Sequence, residues 1–177
     1  MLADLHATHP LIAEGGSHRH NDRYQHPVDF LKRHRNSPPD PVERTAPAVE
    51  LADPSPAAAR ATVAGFARQR RLPTGEIDKL VFATHEAVTN ALMHGRPPTL
   101  LRLWAQPDRV TVTVTDTGPG PSDSLVGLLP PDPLIGPGPG PRLGLWLSHQ
   151  LVDVAHRHDP DGYTIRLEAH HPLDHTD

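Results

Sequence analysis

Three residues in one short stretch could hold a polar ligand. In Phe82-Ala-Thr-His-Glu-Ala-Val-Thr-Asn-Ala-Leu-Met-His-Gly95, Glu86 and Asn90 are an i,i+4 pair and His94 continues their line. At helical spacing all three project from the same side. A carboxylate and a carboxamide one turn apart can share a ligand or a hydrated metal; they can equally form the solvated face of a core helix. Further on, Asp116 ends an alternating run and leads into Thr117-Gly118-Pro119-Gly120. A carboxylate where a strand enters a glycine-rich turn can accept from an exocyclic amine, although Asp-Thr-Gly-Pro also serves as a plain strand-closing turn. A third segment, Gly138-Pro-Gly140-Pro-Arg142-Leu143-Gly144-Leu145, could present backbone N–H groups to an anion ahead of a helix.

The elements that must position these groups follow from periodicity. Ile77, Leu80, Val81, Thr84, Val88, Ala91 and Leu92 form an apolar stripe roughly opposite Glu86 and Asn90. Thr74 is expected to cap this helix, with Glu76 and Asp78 in its positive first turn, and Gly95 to end it as a left-handed cap before Pro97-Pro98. An earlier helix starts at Ser55-Pro56 and buries Ala59, Val63, Phe66 and Ala67; Leu72-Pro73 stops it. Val49–Leu51 reads as an edge strand. Residues 99–105 and the Val/Thr alternation of 110–115 make a hairpin that delivers Asp116. Residues 117–141 form a long Pro/Gly-rich loop, then Leu143–Leu151 a short helix. Strands 152–158 and 163–169 follow, joined by the turn Asp159-Pro-Asp-Gly162. The expected fold is α+β: a two-layer sandwich with an antiparallel mixed sheet and helices on one face.

In their order, Glu86–Gly95, Asp116–Gly120 and Gly138–Leu147 resemble the motifs of the GHKL ATPase/kinase superfamily. Within it they are similar to the anti-sigma-factor serine/threonine kinases of bacterial partner switching. The resemblance covers about residues 48–170 and implies a GHKL fold holding ATP between helices and lid. It implies that Asp116 binds the adenine amine, with Gly118 and Gly120 letting the backbone approach the base. It implies that Asn90 is a ligand of Mg2+ bridged to phosphates and that Glu86 is the general base. His94 lies near the phosphates or merely precedes the helix-ending glycine. Gly138, Gly140, Arg142, Leu143 and Gly144 are the expected phosphate contacts. The third motif departs from the pattern: Pro137, Pro139 and Pro141 have no N–H, so only every second residue can donate.

The implied partners are a sigma factor and a STAS-type anti-anti-sigma protein phosphorylated on serine. Homodimers are common in that family, though the sequence carries no diagnostic interface. Two other readings are a nucleotide-binding anti-sigma adaptor without phosphotransfer and, more distantly, the catalytic part of a histidine kinase. The latter needs a long dimerising helix with an acceptor histidine, which the N-terminal segment lacks.

Composition narrows the classes. A formal charge of −4 offers no basic surface for nucleic acid, and the absence of cysteine excludes disulfides and thiolate chemistry. No apolar run reaches a membrane span, and Met1-Leu-Ala-Asp-Leu-His lacks a signal core, so a cytoplasmic protein is expected. Residues 1–47, with six histidines, read as a partly disordered segment or sensor remnant: Thr8–Gly16 faintly resembles the tail of a MEDS-type sensory domain. His18-Arg-His20 is half a metal site without a second pair. Val28–Arg35 suits a short helix and Ser37-Pro-Pro-Asp-Pro a linker. Residues 48–171 are expected to form the ATP-binding domain and 172–177 a frayed tail.

Overall fold

The computed structural model describes residues 9–14, 16–34, 36–122, 126–128 and 142–172. The chain divides into two units at residues 35 and 36. In the first, β1 (Leu11–Glu14) and β2 (Ser17–His20) pair antiparallel, and helix α1 (Pro27–His34) follows. This hairpin was not expected from the sequence. Its local order centres on Asn21, which is buried: its side-chain amide donates to the His9 carbonyl (2.7 Å) and its carbonyl oxygen accepts from the Arg23 N–H (3.1 Å).

The second unit contains β3 (Val49–Ala52), α2 (Pro56–Gln69), α3 (Thr74–His94), β4 (Leu100–Ala105), β5 (Arg109–Asp116), α4 (Arg142–Leu151), β6 (Asp153–Asp159) and β7 (Gly162–His170). Its five strands lie in the order β3-β4-β5-β7-β6, every neighbouring pair antiparallel. Ser55 caps α2 as its chemistry dictates, its hydroxyl accepting from the Ala58 N–H, and Ala59, Val63, Phe66 and Ala67 are buried. Val110, Val112 and Val114 point into the core with Leu101, Leu103, Ile165 and Leu167.

Helix α3 packs against α2, α4, β5 and β7, and this position alters three expectations. Its buried positions are Ile77, Leu80, Ala83, Thr84, Ala87, Val88 and Ala91, whereas Leu92 is 50% exposed. The stripe is therefore rotated toward the two alanines, whose small side chains allow close packing. Glu86 and Asn90 are half-buried beside the stripe rather than fully opposite it. Thr74 is the first helical residue and not the cap; Pro73 occupies that place without a side-chain bond, its carbonyl accepting from Ile77 N–H. Gly95 is extended (φ −84°), not left-handed.

The other face of the sheet is not bare. Residues read as linker fold across it. Asp40 and Glu43 form a capping box around a single turn of 3₁₀ helix, Pro41–Arg44. Glu43 accepts from Arg157 (2.7 Å) and Arg166 (3.0 Å), Arg109 reaches Asp40 (3.0 Å), and the Trp104 indole donates to the Thr45 carbonyl (3.1 Å). Burial alone would push the Glu43 carboxyl up. Hydrogen bonds from Arg157, the Asp40 backbone and Arg166 outweigh it and hold the group below its ordinary 4.5. Among the described residues, no helix is long and apolar enough to cross a membrane.

Candidate functional site

The site starts at the end of β5. Asp116 is 5% exposed, and its Oδ1 accepts the N–H groups of Gly118 (2.7 Å) and Arg96 (3.2 Å). Oδ2 accepts from no described residue. One oxygen is thus spent on fixing the carboxylate, and the other remains for a ligand donor. The loop after α3 is tied to the turn after β5: Thr117 donates its N–H to the Arg96 carbonyl (2.9 Å) and its hydroxyl to that of Pro97 (2.9 Å).

Glycine at 95 and 118 is required by space. A Cβ on Gly118 would lie 2.6 Å from Asp116 Oδ1, and one on Gly95 2.5 Å from the same oxygen and 2.6 Å from the Ala91 carbonyl. Gly120 does need its left-handed backbone (φ +66°), and its Cα faces the Tyr163 ring.

Above this floor is a cavity of about 260 Å³. Asp116, Val114, Tyr163 and Ile165 come from the sheet, Ala87, Asn90, Ala91 and His94 from α3, and Leu145 from α4; Gly120–Ser122 and Val126 close one side. The volume falls slightly below the ~300 Å³ at which pockets for whole drug-sized ligands begin. It suits a flat heteroaromatic base with one amine aimed at Asp116. The Asn90 side chain makes no hydrogen bond with a described residue, so its amide oxygen is available to a hard cation that takes its other ligands from phosphate and water.

The structure therefore brings Asn90, His94, Asp116 and Gly120 around one cavity, with Gly118 backing Asp116. Glu86 stands one helical turn before Asn90 and does not line the cavity; its carboxylate rests against Gly144, where a Cβ would overlap it. Leu143 is 49% exposed and does not line the cavity. Arg142 begins α4, but its side chain lies outside what is described, as do Gly138 and Gly140. Sequence reasoning missed Tyr163, the cross-strand partner of Asp116. The signal was the two-residue turn ending at Gly162, but only the register of β7 on β5 puts Tyr163 beside the carboxylate.

The chain matches the family described as histidine kinase-like ATPase domain over residues 50–169. It is similar to the histidine kinase domain from the Erythrobacter litoralis EL346 blue-light activated histidine kinase, at 17% identity and TM-score 0.42, over 79% of this chain and 70% of that one. It is also similar to the mycobacterial sensor histidine kinase MprB, at 19% identity and TM-score 0.38, over 71% of this chain and 99% of that one. No curated protein matches it significantly. The family match spans more than half of the sequence, including Glu86, Asn90 and Asp116, and the chain belongs to the histidine kinase-like ATPase domain family.

Proposed function

We propose that this domain binds ATP with Mg2+ and phosphorylates a serine of a STAS-type anti-anti-sigma protein, so that sigma-factor binding follows the phosphorylation state. The observation that supports it best is the convergence of Asp116 and Asn90 on one base-sized cavity, with Glu86 one turn away. Asp116 accepts the adenine amine through Oδ2. Asn90 supplies a carbonyl oxygen to the metal. Glu86 accepts the proton of the attacking serine hydroxyl. Bound ATP supplies the phosphoryl group: the serine O–P bond forms as the bridging P–O bond to ADP breaks. Nothing here requires a basic or membrane-facing surface, and a cytoplasmic setting fits the reading.

The prolines at 137, 139 and 141 favour a second reading, an adaptor that binds nucleotide and sigma factor without transfer, because a proline has no N–H to offer a phosphate. Calorimetric titration with Mg·ATP, Mg·ADP and Mg·GTP tests what both share. Adenine-selective binding that disappears in Asp116→Ala is expected, and folded protein that binds no nucleotide refutes both. Label transfer from γ-labelled ATP to the STAS protein, lost in Glu86→Ala with binding intact, separates kinase from adaptor.

A further inference from the structure

Tyr163 places a phenol ring on the cavity wall, and its hydroxyl is tied to the edge strand β6. Its oxygen lies 2.5 Å from His156 Nδ1, and His156 Nε2 lies 3.0 Å from His149 Nε2. His156 is only 5% exposed. One hydrogen-bonded chain therefore runs from the cavity through β6 to α4, the helix whose Gly144 touches Glu86. As the cross-strand partner of Asp116, Tyr163 stands on the same face of the sheet, next to the carboxylate. Its ring fills the space over Gly120, where a Cβ would lie 2.5 Å from Cδ2.

From this geometry we infer that Tyr163 is a specificity-determining residue of the base cavity and that His156 and His149 are the positioning residues that orient it. The inference rests on the nucleotide reading above. A planar base whose amine reaches Asp116 Oδ2 lies along the phenol ring, where offset or edge contact is favourable. The hydroxyl needs a partner once buried, and His156 provides it in one ring orientation only. The His149–His156 contact joins two ring nitrogens, so one must carry the proton and the other must be bare. The titratable neighbours are few among the described residues: Tyr163 on β7, His149 on α4, and His158 on β6, whose ring meets Tyr163 edge-on. Asp116 follows across the strand pair. Among the described residues, neutral Asn36 and Ser37 pair with the His156 backbone from the segment lying along β6.

The test is calorimetric titration of the full chain with ADP and with adenosine at neutral pH. Tyr163→Phe keeps the ring and removes the hydroxyl that His156 holds; it is expected to weaken both ligands ~3–10-fold, at most the worth of the one hydrogen bond that orients the ring. His156→Leu should lose as much, and His156→Gln, which keeps a donor and an acceptor, should recover most of it. Unchanged affinity in folded Tyr163→Phe, with binding abolished in Asp116→Ala, overturns this inference and leaves the nucleotide reading standing. Absence of binding by the wild type overturns both.

Discussion

Replacing Gly144 by alanine should separate stability from chemistry. The new methyl would overlap Glu86 Oε2 and lie 2.9 Å from its Cγ, so the nearest atoms it meets all belong to one flexible side chain. In a helix, alanine is favoured over glycine by roughly 0.5–1 kcal/mol. Forcing Glu86 off its rotamer costs of the order of 0.5–1.5 kcal/mol. The two nearly cancel, so the net change stays within about 1 kcal/mol, or roughly 2–4 °C in Tm for a chain of this size. ADP affinity should hold, since Asp116 does not touch Gly144. Phosphotransfer should not hold, because a displaced general base forfeits on the order of 10²-fold or more. Thermal denaturation, ADP calorimetry and γ-label transfer read the three quantities on the same sample. Adding Gly144→Ala to Glu86→Gln should cost little more than Glu86→Gln alone. Full transfer activity in a folded Gly144→Ala protein would refute the placement of Glu86 as base against α4.

Other perturbations test the same geometry. Gly95→Ala puts its methyl against the Asp116 carboxyl and the fixed Ala91 carbonyl; urea denaturation should show a loss of ~1–3 kcal/mol with weakened ADP binding. Asp116→Glu keeps the charge but pushes a methylene into the space between Gly95 and Gly118, so calorimetry should show ADP binding lost nearly as completely as in Asp116→Ala. Glu43→Ala leaves Arg157 and Arg166 without their shared partner, at a cost of about 3 kcal/mol in chemical denaturation. The pH dependence has a defined sign. The folded Glu43 carboxyl titrates below its ordinary 4.5, so its contribution is complete above that value and disappears as pH falls through the lowered one, a slope absent in Glu43→Gln.

Much of this fold was legible because its signals are local. Ser55-Pro56 announces α2, the Val/Thr alternation announces β5, and Asp159–Gly162 announces the last hairpin; each holds within one element. The covering segment was not legible. Asp40 and Glu43 look like ordinary turn residues, and their partners Arg109, Arg157 and Arg166 are remote in sequence, so no periodicity links them. The N-terminal hairpin was missed because four-residue strands give too few alternations to stand above composition. Of the site, Asn90 and Asp116 were legible from type and spacing, whereas Tyr163 depended on strand register.

The glycines of the site show why motif positions can be read correctly for the wrong physical reason. Gly95 was expected to supply a left-handed φ, yet its backbone is extended, and its missing Cβ is what matters. At Gly118 and Gly144, too, an added Cβ has no room. In each case an acidic side chain from another element occupies the volume a Cβ would take: Asp116 at Gly95 and Gly118, Glu86 at Gly144. This pairing does more than make room. A carboxylate seated on bare backbone is placed by van der Waals contact on one side and, for Asp116, by two N–H donors on another, so its position does not wait for a ligand. Asp116 is thereby preorganised at the cavity it lines, which lowers the ordering that binding must supply. Glu86 has contact without hydrogen bonds to described residues, and so retains the freedom to swing toward a hydroxyl while α4 limits its range. The difference between the two carboxylates matches their proposed tasks, one to recognise and one to move a proton, and both carboxylates sit where a glycine's missing Cβ leaves them room.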